Sequence, residues 1–140
     1  MIVLDTTVLV YAVGADHPLR EPCLRLLAGA PSRRLTTTAG VIQEFVHVRQ
    51  RRRSRDDAVA LGRSYLDLLS PLLDVPGAAV SDALDLMVEQ PALGAFDAVL
   101  AAAATRAGCA ALVTADKAFA GLRGCPVVVP DDSGVDQLLG

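Results

Sequence analysis

The chain opens on three apolar residues, Ile2-Val3-Leu4, followed at once by Asp5-Thr6-Thr7. So short a run, ending in residues that favour helix N-caps, predicts a buried strand leading into a helix. That helix is expected through Val8–Val13, ending near Gly14. Residues 18–29 place Leu19, Cys23, Leu26 and Leu27 at helical spacing and stop at Gly29-Ala30-Pro31. Leu35-Thr36-Thr37 is a short strand candidate. Val41, Phe45 and Val48 then mark one face of a helix that runs into the arginine-rich stretch at 49–55. A further helix covers about 56–69, with Ala58, Leu61, Tyr65, Leu68 and Leu69 inward. Leu72–Val75 is expected as a strand, 78–89 and 95–107 as helices, and Leu112-Val113-Thr114 and Val127-Val128-Val129 as buried strands.

Short apolar strands alternating with helices, with no hairpin-type turn between strands, predict an α/β fold with a parallel sheet. No internal repeat, low-complexity tract or linker divides the chain, so residues 1–140 are expected to form one domain. Composition agrees with a compact core: 52% of residues are apolar and 21% charged. The apolar content is mostly Ala, Val and Leu, which suits helices packed closely on a small sheet.

Net charge is −3, so bulk electrostatics do not attract polyanions; contact with nucleic acid needs a local basic patch or bound cations. Cys23, Cys109 and Cys125 form no CxxC pair and are read as buried thiols in a reducing compartment. The start MIVLD has no signal-peptide pattern, and the apolar run at 98–104 is too short to cross a bilayer. A cytoplasmic protein without membrane contact is the expectation.

Four acids stand out by position. Asp5 and Asp116 each follow a short apolar strand, at the carboxyl edge where open parallel sheets bind ligands. Glu44 lies between Val41 and Val48 and so is read on the inward side of its helix. Asp97 precedes seven apolar residues, Ala98–Ala104, which places it at the mouth of the core. A buried carboxylate without a partner is costly, and of the four only Asp116 has a basic neighbour, Lys117. A divalent cation would relieve that cost, and oxygen-only ligands favour Mg²⁺ or Mn²⁺ over zinc. Each acid also has a plainer role. Asp5 and Asp116 can cap turns, Asp97 can favour a helix N-terminus, and Glu44 can pair with an arginine.

The ordered segments IVLDTTVLVYA at 2–12, QEF at 43–45, FDAVLAAAA at 96–104 and LVTADKAF at 112–119 resemble the PIN-domain ribonucleases, and most of all the VapC-type toxins of toxin–antitoxin pairs. No one of these segments is specific; the order is. The resemblance implies a three-layer α/β/α fold with four or five parallel strands. It implies Mg²⁺- or Mn²⁺-dependent hydrolysis of RNA by Asp5, Glu44, Asp97 and Asp116, supported by Thr6 and Thr114. One bound ion and two are both open, since Gly94 and Ala120 stand where some members carry a further acid. The same resemblance implies growth inhibition by the free toxin, a homodimer, and a VapB-like antitoxin joined in a heterotetramer or larger assembly.

Arg49, Arg51, Arg52, Arg53 and Arg55 can guide RNA phosphates or anchor an acidic partner; equally, they suit a solvated helix end. His17 and His47 lack metal-ligand spacing, and Tyr11 and Tyr65 are expected at helix interfaces. A HAD-type phosphatase would need a second Asp where Thr7 stands. A response-regulator receiver would need an acidic pair after its first strand. The remaining alternative is a PIN-like module that binds RNA or a partner without cutting it.

Overall fold

The computed structural model describes residues 1–140. Four strands, β1 (Ile2–Leu4), β2 (Leu35–Thr36), β3 (Ala111–Val113) and β4 (Val127–Val128), form one parallel sheet in the order β2-β1-β3-β4. Seven helices surround it: α1 (Thr6–Ala12), α2 (Arg20–Ala28), α3 (Ala39–Arg52), α4 (Arg55–Leu69), α5 (Gly77–Glu89), α6 (Ala95–Arg106) and α7 (Asp132–Leu139). A 3₁₀ turn at Lys117–Phe119 follows β3. The fold is the expected α/β class.

β1, β2 and β3 are buried, whereas the edge strand β4 is only half-buried. Ile2, Val3 and Leu4 are buried, as are Ala111, Leu112 and Val113, and continuous apolar runs suit a sheet covered on both faces. Val3 registers with Thr36 on one side and with Leu112 on the other. The chain adds β2 beside β1 and then crosses to the other side of β1 for β3 and β4. The order therefore switches between β1 and β3, and the carboxyl ends of these two strands form the crevice where such sheets hold ligands. Asp5 N–H donates to the Val113 carbonyl (2.9 Å), which locks the residue after β1 to β3.

Helices pack in two groups, α1 to α4 with α7, and α5 with α6. Phe45 of α3 meets Tyr65 of α4 edge to face, centroids 4.9 Å apart. Gly62 lets these helices approach closely; a Cβ there would lie 2.6 Å from Val46 Cγ2. The seven-residue α1 is tied at its end by neighbours. Tyr65 Oη donates to the Leu9 carbonyl (2.8 Å) and Arg49 Nη1 to the Val13 carbonyl (3.0 Å). All three cysteines are buried free thiols.

Three expectations change. Leu68 is 41% exposed rather than inward, because Ala58, Gly62, Tyr65 and Leu69 take the buried side of α4. Leu72–Val75 is not a strand: one parallel bridge, Thr38 with Leu73, is all that forms. Pro71 and Pro76 bracket the segment, and neither can donate to a ladder. Residues 132–139, which the apolar pattern left unassigned, form α7. Asp131 caps it through Gly134 N–H (2.8 Å), and Val135 is buried on its inner side. Arg25 of α2 holds the outer side through Asp132 (2.9 Å) and Asp136 (2.8 Å). No helix is long and apolar enough to cross a membrane.

Removing the Phe45 ring (Phe45→Ala) is expected to cost about 3–5 kcal/mol of unfolding free energy. Tyr65→Phe, which deletes one hydrogen bond, should cost about 1 kcal/mol. Urea unfolding of both variants checks this; equal losses would contradict the division between packing and α1 tethering.

Candidate active site

Asp5 sits immediately after β1, and Asp116 follows β3 by three residues. Glu44 lies in the second turn of α3 and Asp97 in the first turn of α6. Four separate elements thus bring these acids to one cleft at the carboxyl edge of the sheet. Thr6, Thr7, Val10, Tyr11, Val48 and Arg52 complete its lining.

Their environments differ. Asp5 is buried, Asp97 is half-buried, and Glu44 and Asp116 are exposed. Glu44 therefore departs from its expected place. Val41 and Phe45 turn into the core, and Glu44 projects from the rim of that face into the cleft.

Three threonine hydroxyls hold the acids. Thr7 Oγ1 (2.9 Å) and Thr114 Oγ1 (2.7 Å) both donate to Asp5 Oδ2. Each of these hydroxyl oxygens also accepts a backbone N–H, from Ala115 (3.0 Å) and Asp116 (3.0 Å) respectively. Because the oxygens are occupied as acceptors, their protons point at Asp5, and Oδ2 acts only as an acceptor. Asp5 Oδ1 carries no hydrogen bond and is not among the sealed, unsatisfied atoms of the chain, so it faces the cleft. Thr6 Oγ1 donates to Glu44 Oε2 (2.8 Å) and positions it in the same way. Thr7 is a site residue that the sequence reading did not single out. Its signal was the pair of hydroxyls directly after a strand-end Asp.

Asp116 also takes its plainer role, since Oδ1 accepts from Ala118 N–H (2.9 Å) and caps the 3₁₀ turn. Asp97 registers the crowding. Burial, and then the charges of Asp5, Asp116 and Glu44, push its carboxyl from the usual 3.8 up to about 6. None of the four acids forms an ion pair with an arginine.

No three acidic, histidine or cysteine side chains close into a ready-made ion cage. The donors border an open cleft. Such an arrangement fits a hard cation that keeps part of its water shell, as Mg²⁺ does, with a few carboxylates supplying the rest. The donor set is all oxygen, and accumulated negative charge that no ion pair offsets is what a divalent cation relieves.

The arginine run divides. Arg49 has its donors occupied: Nε donates to Asp57 Oδ2 (2.6 Å), and Nη1 to the Val13 carbonyl. Its guanidinium holds the Asp57 carboxyl below the usual carboxylate range. Arg51, Arg52 and Arg53 are exposed, and Arg52 alone among them borders the acidic cleft. Tyr65 is buried at a helix interface as expected. Tyr11 is half-buried: it packs against the edge of the core, lines the cleft and stacks on His17 (4.3 Å).

A PIN-domain sequence model matches residues 2–124, most of the chain. The chain belongs to the PIN-domain family. This PIN domain is 55% identical to ribonuclease VapC7 of Mycobacterium tuberculosis, across 100% of its own length and 99% of that protein's. It is 35% identical to ribonuclease VapC23 of the same species, covering 86% of this chain and 96% of the relative. Its fold matches VapBC2 of Rickettsia felis, crystallised with a promoter DNA fragment, at a TM-score of 0.72 and 20% identity over 92% and 98% of the two chains. VapC20 of M. tuberculosis, described as a sarcin-ricin loop cleaving toxin, superposes at 0.68 with 20% identity over 80% and 87%.

The shift of Asp97 has a measurable consequence. The native chain retains a proton at this acid where the unfolded chain has lost it, so ionisation opposes folding. Thermal stability of the cation-free protein should therefore fall as pH rises from 3.8 through about 6. In Asp97→Asn that fall should be smaller, and at neutral pH Mg²⁺ should raise the melting temperature of the parent more than that of the variant. Identical pH slopes in parent and variant would contradict the raised Asp97 carboxyl and the burial and neighbouring charges assigned to it.

Proposed function

We propose that this PIN domain is a metal-dependent endoribonuclease, the toxin of a toxin–antitoxin pair, with Asp5, Glu44, Asp97 and Asp116 as its catalytic carboxylates. The observation that carries this is the convergence of four acids, none of them in an ion pair, on the switch-point crevice of the sheet. Identity of 55% to a full-length ribonuclease of the VapC group supports the same reading.

Hydrolysing a phosphodiester requires an activated water and a counter-charge for the developing oxyanions. Bound Mg²⁺ or Mn²⁺ supplies both, by acidifying water and clamping phosphoryl oxygens. The chain's own residues prepare the site. Thr7 and Thr114 fix Asp5 with Oδ1 toward the cleft, and Thr6 fixes Glu44. With Asp97 and Asp116, these acids would hold the cation. A carboxylate not fully engaged there takes the proton from the attacking water. Arg51, Arg52 and Arg53, at the end of α3, guide the RNA backbone past the acidic cleft, which would otherwise repel it.

A VapB-like antitoxin is the proposed protein partner, supported by the likeness to a toxin of a solved VapBC complex. A homodimer is proposed as well. The apolar surplus of the composition surfaces as Val80, Leu84 and Val88, spaced four residues apart along α5. Cytoplasmic RNA is the proposed substrate, and growth arrest the proposed consequence of free toxin.

Asp5→Asn and Asp97→Asn are expected to abolish RNA cleavage with circular dichroism unchanged, and a chelator should stop the parent enzyme. Native-rate cleavage by either variant in Mg²⁺ would refute the assignment. Thr114→Val, which frees Asp5 to rotate, should lower activity by about 10–100-fold. Reversing Arg51, Arg52 and Arg53 to Glu should weaken RNA binding and flatten its dependence on salt. An unchanged salt slope would remove these residues from the RNA path.

A further inference from the structure

Beside the acidic cleft lies a second cavity, of about 200 Å³, between the end of α1 and the last turns of α3. Val10, Val13 and Val48 give it apolar walls, buried Phe45 lies at its floor, and exposed Ala15 stands at its rim. Arg49, Arg52 and Arg53 also line it, and no acid does. Val10, Val48 and Arg52 belong to both cavities, so the two adjoin.

The walls suit a flat, weakly hydrated group, and the arginines suit an anion attached to it. The three arginines are not equivalent. Arg49 has its in-plane donors turned to Asp57 and to the Val13 carbonyl, so what it can offer a ligand is the face of a guanidinium held in place. Arg52 and Arg53 are exposed and form no ion pair within the chain, so their donors are free for phosphate.

We propose that this cavity is a nucleobase pocket, receiving the base of the RNA nucleotide next to the phosphate held in the acidic cleft, with Arg52 on the phosphate between them. The inference rests on the ribonuclease reading. Single-stranded RNA is recognised in this manner, by bases turned out onto aromatic or guanidinium faces and by phosphate contacts that set the register. The shared wall makes the pocket a means of choosing where the strand is cut. An apolar and acidic segment of a protein partner is the competing occupant.

The test uses the full chain carrying Asp97→Asn, so that RNA stays intact, with a short fluorescent single-stranded RNA in Mg²⁺ and fluorescence anisotropy as the readout. Ala15→Trp fills the rim and Arg53→Ala removes a cation; neither residue lines the acidic cleft. Each should weaken RNA binding about tenfold with an unchanged melting temperature. Moving an abasic nucleotide along the RNA should reveal one position that costs a similar factor in the parent and nothing further in Ala15→Trp. Unchanged RNA affinity in both variants, while the wild type still cuts RNA, would overturn the pocket and leave the ribonuclease standing. Unchanged RNA affinity with lost binding of the VapB-like antitoxin would hand the pocket to the protein partner and overturn the proposal. A wild type that neither binds nor cuts RNA would remove both readings.

Discussion

Mutual repulsion among carboxylates is the constraint around which this PIN domain is arranged. Asp5, Glu44, Asp97 and Asp116 face one cleft, and burial, together with the charges of its three neighbours, pushes the Asp97 carboxyl up to about 6. A fold would ordinarily avoid such a site, since like charges in a half-buried space oppose folding. The chain holds it together with neutral donors rather than with arginines. Thr6, Thr7 and Thr114 each give a hydroxyl proton to an acid, and the backbone amides of Ala115 and Asp116 aim two of those hydroxyls. A guanidinium would have cancelled the charge; a hydroxyl orients the acid and leaves its charge for a cation.

The rest of the architecture supplies rigidity at this edge. β1 and β3 are enclosed and paired, so the residues that follow them have little freedom, and Asp5 is bonded to Val113 across the switch point. The short α1 carries Thr6 and Thr7 and is anchored at its far end by Tyr65 and Arg49. Those two residues come from α4 and α3, so the α3–α4 pair that holds Glu44 also steadies the helix opposite it. The arginines beyond Glu44 then take separate tasks. Arg49 is bound into the scaffold, and Arg52 and Arg53 remain available at the edge of the site.

Much of this was legible in the sequence because strand-end acids and helical spacing are local signals. The strand at 2–4, the strand read at 112–114 and found at 111–113, the long helices, the parallel class and the places of Asp5, Asp97 and Asp116 all follow from runs and periods a few residues long. What was not legible depended on tertiary context. Leu72–Val75 has strand composition, but its flanking prolines leave room for one bridge. Helix α7 is short, and its outer face is settled by Arg25, more than a hundred residues earlier. Whether Arg49 is free or bound depends on Asp57 in the next helix, and Thr7 becomes a site residue only when β3 brings Thr114 and Ala115 beside it. Glu44 shows the limit of a helical wheel: the boundary between core and cleft falls within one face.

The proposed chemistry depends on a divalent cation being held by these acids. The most direct measurement is a crystal grown with Mn²⁺ and examined by anomalous diffraction at the manganese edge. The expected result is an anomalous peak in the cleft, in contact with Asp5 and at least one of Asp97, Asp116 and Glu44, and absent in Asp5→Asn. A cleft with no anomalous density at saturating Mn²⁺, or a peak that persists in that variant, would contradict it.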